Sequence, residues 1–248
     1  MDILVTGGCG FIGTNFIKYW KSIYNNSKII NIDNLTYAGN SINLNELKDY
    51  KNYQFIKADI SDSDLIKKTL YINKPDFIVN FAAESHVDRS IIYPDKFFET
   101  NVIGTFKLLK EVNNYFHKLN IEKKKKFRFM HISTDEVYGS LQEGDLPFNE
   151  KNKYYPNSPY SASKASSDHI VRSFFKTYNL PVLVSNCSNN YGPYQSIEKL
   201  IPLIICNALR LKDIPIYGNG QQIRDWLYVG DHCEAINIIL LKGTPGEV

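Results

Sequence analysis

ILVTGGCGFIGTNF, residues 3–16, decides how the rest of the chain is read. Four aliphatic or β-branched residues run into Gly7, Gly10 and Gly13 at G-x-x-G-x-x-G spacing, and an apolar helical pattern begins at once after them. A strand that turns directly into a helix through three glycines brings backbone close to whatever lies above the turn. The helix start then offers free N–H groups and a partial positive charge, a combination that suits a pyrophosphate.

Working outward, similar runs recur as KIINI (28–32), YQFIKA (53–58), DFIVNFA (76–82), FRFMHIS (127–133) and PVLVSNC (181–187), with helix-length segments between them. Strands alternating with helices predict a parallel sheet covered on both faces, and their near-continuous apolar character predicts burial on both sides. The fold class is therefore α/β, a Rossmann-type doubly wound sheet. Two helices stand out by spacing, over 93–116 and over the Pro-initiated 159–178, with shorter ones near 199–212 and 231–242. Residues 1–188 are read as the dinucleotide-binding domain. Residues 189–248, rich in Asn, Gly, Pro and Tyr, are read as a smaller, irregular and partial substrate-binding region interleaved with it. KGTPGEV (242–248) stops where a further strand is due, so the expectation is a truncated region.

Composition narrows the function. The 248 residues, 43% of them hydrophobic, suffice for a substantial core. A formal charge of +3 from 29 basic and 26 acidic residues, well mixed, gives no strong field for nucleic acid or membrane. The basic block EKKKKF (122–127) has no interleaved aromatics and reads as a solvated connection. No signal peptide or spanning segment is evident, and the four cysteines, Cys9, Cys187, Cys206 and Cys233, read as buried free thiols in a reducing compartment, so a cytoplasmic location is expected.

Asp33 closes the second strand 20 residues after Gly13, where a carboxylate accepts hydrogen bonds from ribose hydroxyls. Its charge would repel a 2′-phosphate, which favours NAD over NADP. Asp59, at the end of the third strand, can address the adenine, and the small Ala82 and Ala83 allow close backbone approach at the end of the fourth. Tyr160 and Lys164 in YSASK lie one helical turn apart on one face. An ammonium beside a phenol, whose ordinary pKa is about 10, favours the phenolate and makes a general base. Two other Y-x-x-x-K matches, Tyr24/Lys28 and Tyr53/Lys57, share no helical face.

These motifs together resemble the extended short-chain dehydrogenase/reductase family. Within it, GGCGFIG, IDNLTYAGN, FAAESHVDRSI, HISTDEVYG, PYSASK, NCSNNYGPYQ, EKLIPL and YGNGQQIRDWLYV are similar to the dTDP-glucose 4,6-dehydratase branch, over essentially the whole chain. The resemblance implies a lyase of nucleotide-sugar and deoxysugar (rhamnose) biosynthesis that recycles NAD: oxidation at carbon 4 of the glucosyl ring, loss of water across carbons 5 and 6, and hydride return to carbon 6. It implies catalytic roles for Thr134, Asp135, Glu136, Tyr160 and Lys164, with Glu136 as the base at carbon 5 and Asp135 as the acid at the 6-hydroxyl. It places Phe11, Ile12, Asn34, Leu35, Thr36, Ile60, Phe81, Ser85, Thr100 and Asn190 against the cofactor beside the glycines, Asp33 and Asp59. Ser85, Thr134, Asn189, Lys199, Leu200, Pro215, Ile216, Tyr217 and Arg224 would hold the sugar nucleotide, with an ion pair to Asp225 as the competing use of Arg224. It also implies a homodimer through the helices at 93–116 and 159–178. No metal is expected, and His86 and His131 are read as packing or hydrogen-bonding residues. A nucleotide-sugar epimerase, a UDP-glucose 4,6-dehydratase and an impaired NAD-binding module remain as alternatives, the last because family members run about another third longer.

Overall fold

The computed structural model describes residues 1–216 and 218–248. Six strands, β1 (Ile3–Thr6), β2 (Ile29–Asp33), β3 (Tyr53–Lys57), β4 (Phe77–Asn80), β5 (Arg128–Thr134) and β6 (Val182–Cys187), form one sheet in the order β3-β2-β1-β4-β5-β6. Every pairing is parallel. The order reverses at β1, which opens a crevice above the carboxyl ends of β1 and β4, the place where doubly wound sheets bind ligands.

Side-chain alternation splits the core between two faces. Ile3 and Val5 point with Val79, Met130 and Leu183 toward α1 (Phe11–Ile23) and the last helix (Val229–Lys242), whose Phe16, Trp20, Ile236 and Leu240 are buried there. Leu4 points the other way with Ile30, Ile78 and Phe129, toward α2 (Ser63–Asn73), a helix over Thr105–His117 and the long helix Pro159–Tyr178. That long helix starts where its sequence says it should, at a Pro following Ser158, whose hydroxyl accepts the Ser161 N–H in a reciprocal capping box.

A short helix, α3 (Val87–Ile92), ends in a break at Tyr93, and the helix expected over 93–116 then runs without interruption through α4 (Pro94–Phe97), a π-helical stretch over Phe98–Gly104 and α5 (Thr105–His117). The π-helical stretch is the part that the spacing did not indicate. The widened turn carries Asn101 inward, where it is 1% exposed and fully bonded. Its Oδ1 accepts the Glu84 N–H at 2.9 Å, while its Nδ2 donates to the Glu84 carbonyl at 3.0 Å and to Ser163 Oγ at 2.8 Å. Apolar spacing cannot foretell a turn set by one buried amide.

EKKKKF is likewise more ordered than a loop: Asn120 caps α6 (Ile121–Lys126), which carries the lysines in solvent. Three further α-helices follow, α7 (Pro159–Tyr178), α8 (Leu200–Leu209) and α9 (Val229–Lys242). Beyond β6 a small parallel pair joins β7 (Asn189–Tyr191) to β8 (Trp226–Tyr228), and α9 then returns to pack beside α1. Gly246 N–H bonds the Val182 carbonyl and Val184 N–H bonds the Glu247 carbonyl, so the final residues run along the outer edge of β6. All four cysteines are free, but only Cys9 and Cys233 are buried. Cys206 faces partly outward because α8 buries none of its residues. Among the described residues no helix is long and apolar enough to cross a membrane.

Candidate active site

The glycine turn is held by contacts that leave no room for side chains. Gly7 has φ +70°, donates to the Ile32 carbonyl at 2.8 Å, and would place a Cβ only 2.6 Å from the Ala82 nitrogen. Gly13 would place one 2.3 Å from the Gly7 carbonyl oxygen. Gly10 differs: a Cβ there meets only Gly7 O, at 3.3 Å, so the space it leaves faces outward from the turn. Gly10 is also the N-cap of α1 and gives it no side-chain cap, so the first N–H groups of the helix remain available to a ligand. Phe11 and Ile12 occupy that first turn.

Asp33 stands beside the turn, buried, its Oδ2 accepting Cys9 N–H and its Oδ1 accepting Leu35 N–H, both at 2.8 Å. Burial raises its pKa and the two amides oppose the rise. Asn34 donates to Asp59 Oδ2 at 3.0 Å, tying the ends of β2 and β3 together, and Ile60 is buried against Gly104. Asn34, Thr36 and Thr100 line a cleft of about 450 Å³ with Tyr37, Glu84 and Arg89. Phe81 donates its N–H to Thr6 O, Ala82 closes on Gly7, and Ala83 leads to the exposed Ser85 beside the Tyr37 phenol. An uncapped helix start, an outward gap at Gly10 and a carboxylate beyond the second strand form a cradle that fits a dinucleotide.

At the other side of the crevice β5 ends at Thr134, which caps a 3-10 turn over Asp135–Tyr138. Thr134 Oγ1 accepts the Glu136 N–H at 3.3 Å and donates to Asp135 Oδ1 at 3.2 Å. The turn exits through Gly139 at φ +98°, where a Cβ would strike the Tyr155 carbonyl at 2.6 Å. Both carboxyls are raised above their ordinary range: burial acts first on each, Asp135 adds to Glu136, and Arg224 and Lys199 pull Glu136 back. Two basic residues far along the chain therefore reach the field of this carboxylate.

Tyr160 is brought to the same place by the first turn of α7, and its phenol is raised well above the usual range, by burial first and then by Glu136, with the Thr134 hydroxyl opposing. Lys164, one turn further along the same face, does not bond the phenol. Its Nζ donates to the Ile132 carbonyl at 2.7 Å and lies 3.3 Å from His131 Nε2. The lysine is 3% exposed; burial lowers its pKa and Asp168 raises it.

Asn189 and Asn190 sit on β7. The Asn190 side chain is fixed by His232 Nδ1 at 2.8 Å and by its bond to the Ser188 carbonyl. Lys199 is the N-cap of α8 and Leu200 its first residue. Arg224 is exposed, bonds the Ile223 carbonyl at 2.8 Å, and forms no ion pair with Asp225 among the described residues. Pro215 and Ile216 are exposed on the stretch after α8, and Tyr217 lies outside the described residues. His131 is a buried hydrogen-bonding residue, as expected, and His86 lies 3.8 Å from Glu198. Sequence reasoning missed Asn101, which clamps the Glu84 loop to α7, and Asp168, although Tyr160, Lys164 and Asp168 recur at a spacing of four.

Comparison with known proteins agrees with this geometry. The family model described as GDP-mannose 4,6 dehydratase matches residues 4–248. A dTDP-glucose 4,6-dehydratase of Xanthomonas campestris is 54% identical over 98% of this chain and 69% of its own length. The crystal structure of a dTDP-glucose 4,6-dehydratase from Bacillus anthracis in complex with NAD superposes with TM-score 0.90 at 49% identity, covering 100% of this chain and 74% of that one. One from Streptomyces venezuelae, also with NAD bound, gives TM-score 0.89 at 43% identity, with the same coverage.

Proposed function

This chain belongs to the GDP-mannose 4,6 dehydratase family, and from that premise we propose that it is an NAD-dependent dehydratase acting on dTDP-glucose, a lyase that yields the 4-keto-6-deoxy sugar. The observation that carries the reading is the adjacent pair Asp135 and Glu136 at the end of β5, facing Tyr160 across from the glycine cradle. An epimerase on this scaffold has no use for two carboxyls there, whereas elimination of water needs one acid and one base.

NAD, when bound in the glycine cradle, would supply the hydride acceptor for carbon 4 and the hydride donor for carbon 6. Tyr160 takes the proton of the 4-hydroxyl, which Thr134 Oγ1 orients. The ketone then acidifies carbon 5, and Glu136 removes that proton while Asp135 protonates the departing 6-hydroxyl, so that water leaves; Glu136 returns its proton to carbon 5 when carbon 6 is reduced. Burial raises both pKa values and the Asp135 charge raises that of Glu136 further, which favours the state with one proton on the pair. Lys199 and Arg224 bring positive charge to the sugar nucleotide's diphosphate, Arg224 with a planar fork that pairs two oxygens.

The exposed apolar residues Ile91, Ile92, Phe98, Ile103 and Phe106 on α3 to α5 support a homodimer built on this face with α7, in the cytoplasm. Sedimentation at micromolar concentration should give a dimer; a monomer alone would remove this part. For the reaction itself, mass spectrometry after incubation with dTDP-glucose and, separately, UDP-glucose should show loss of one water, with dTDP-glucose preferred. An isobaric product would instead mean epimerisation.

A further inference from the structure

Between α7 and β5 lies a buried polar cluster around Lys164 in which Asp168 has no part in the reaction above. Lys164 and Asp168 are each 3% exposed and His131 is fully buried. Asp168 Oδ2 accepts the Ser133 hydroxyl at 2.8 Å and the Tyr154 hydroxyl at 3.1 Å, with Asn186 Nδ2 at 3.5 Å. Its Oδ1 has no hydrogen-bond partner and lies 3.5 Å from His131 Nε2. The tautomer of that imidazole follows from its neighbours. Thr6 Oγ1 donates to Asn80 Oδ1, so Asn80 Nδ2 donates to His131 Nδ1, and the ring proton sits on Nε2. Nε2–H, at 3.2 Å from Ser167 Oγ, therefore shares a pocket with the Lys164 ammonium, and Asp168 is the one carboxylate of the cluster.

We propose that Asp168 is a positioning residue for the reaction: it forms no direct ion pair with Lys164, but its Oδ1 lies 3.5 Å from the His131 Nε2 that the Lys164 ammonium approaches at 3.3 Å, and across that ring it is the buried counter-charge that keeps Lys164 protonated on the Tyr160 stripe of α7. A lysine removed from water without a compensating anion gives up its proton, and a neutral Lys164 adds nothing to the field that favours the phenolate. The directions agree, since burial lowers Lys164 and Asp168 opposes it, while Asp168 itself, pushed up to about 6 by burial, is pulled back by Lys164. The other groups facing the cluster carry no competing positive charge: Cys187 and Tyr154 are held protonated by burial, and His131 is kept neutral by burial and by Lys164.

The proposal rests on the dehydratase reading only for its kinetic arm. Asp168→Asn should move the acid limb of the pH profile for the first oxidation to higher pH by about one unit or more, the size of a neighbouring charge effect. Removing a negative charge that acted directly on Tyr160 would move the limb the other way, and a merely structural role would lower the rate without moving it; either result overturns the proposal. The second arm needs no turnover. Asp168→Asn should lower the melting temperature markedly in the native background and by less than half as much in a Lys164→Met background. Equal losses in both backgrounds contradict the pairing. If Asp168→Asn alone does not fold, recovery of a folded Lys164→Met/Asp168→Asn protein supports it and an unfolded double variant overturns it. A wild-type chain that leaves dTDP-glucose unchanged would break the functional reading, while the thermal arm would still decide on Asp168.

Discussion

The two rims of the crevice are built on opposite principles. Around Gly7 and Gly13 the chain is defined by what cannot be present: a single Cβ would sit 2.6 Å or less from backbone atoms of Ala82 or Gly7. Around Thr134, Tyr160 and Lys164 it is defined by charges held where solvation is poor, with carboxyls, a phenol and an ammonium all displaced from their ordinary ranges. The first rim is a matter of shape and shows in residue spacing. The second is a matter of field, and it appears only once distant segments are brought together.

The largest way to test the contrast is at the shape-defined rim. Gly7→Ala forces a side chain into φ +70° and against Ala82, and should cost about 3 kcal/mol of stability together with NAD binding, read by thermal melting and calorimetry. Asp33→Arg should weaken NAD by about 2 kcal/mol, the worth of hydrogen bonds to a charged group, and improve NADP. It also leaves Cys9 N–H and Leu35 N–H without their acceptor, so some stability is lost with it. An unchanged cofactor preference by calorimetry would take Asp33 out of the ribose site. Gly10→Ala sharpens the point within the same loop. Only Gly7 O lies near, at 3.3 Å, so stability should change by less than about 0.5 kcal/mol while NAD affinity falls roughly tenfold. Equal damage to fold and binding would mean that Gly10 serves the turn and not the ligand.

At the field-defined rim the smallest effect has the opposite sign. The folded pKa of Glu136 lies above its unfolded value, so ionisation costs stability: the protein loses it as pH rises from the unfolded to the folded pKa, and the deficit is constant above. Glu136→Gln removes that deficit. It should raise the melting temperature at neutral pH by roughly 2–4 °C, equivalent to about 1 kcal/mol, with the gain vanishing below the ordinary carboxylate range. A variant less stable than the parent at neutral pH would show that the carboxylate is a structural partner.

How much could be read in advance follows the same division. All six strands of the main sheet were legible as short apolar runs, but the burial expected on both faces fails at the edge strand β3, where Gln54, Phe55 and Lys57 are exposed. α7 was legible because Ser158 and Pro159 mark its start. The 93–116 helix was legible in extent but not in its inner turn, since Asn101 bonds Glu84 and Ser163 in a π-helical stretch and apolar spacing says nothing about a buried amide. Among the site residues, Gly7, Gly13 and Asp33 stand at the turn and the strand end that their spacing indicated, while Asp135/Glu136 at the end of β5 were singled out by the family resemblance. The Tyr160/Lys164 pair occupies one face as expected, but Lys164 spends its bonds on Ile132 and beside His131. That partner choice depends on β5 lying under α7, a contact between residues more than 30 positions apart.

The central claim is that the carboxylate pair at the end of β5 turns an oxidising scaffold into a dehydratase, and one mixing experiment addresses it. Tyr160→Phe and Glu136→Gln proteins, each loaded with NAD, are mixed with dTDP-glucose and followed at the reduced-nicotinamide absorbance. Each variant should lose about 10²–10⁴-fold in product formation, the usual worth of a general acid or base. They should fail at different steps. Glu136→Gln keeps the base for carbon 4 and should accumulate reduced nicotinamide without eliminating water, whereas Tyr160→Phe should show no reduction at all. Silent loss in both variants, or undiminished turnover in Glu136→Gln, would contradict the assignment.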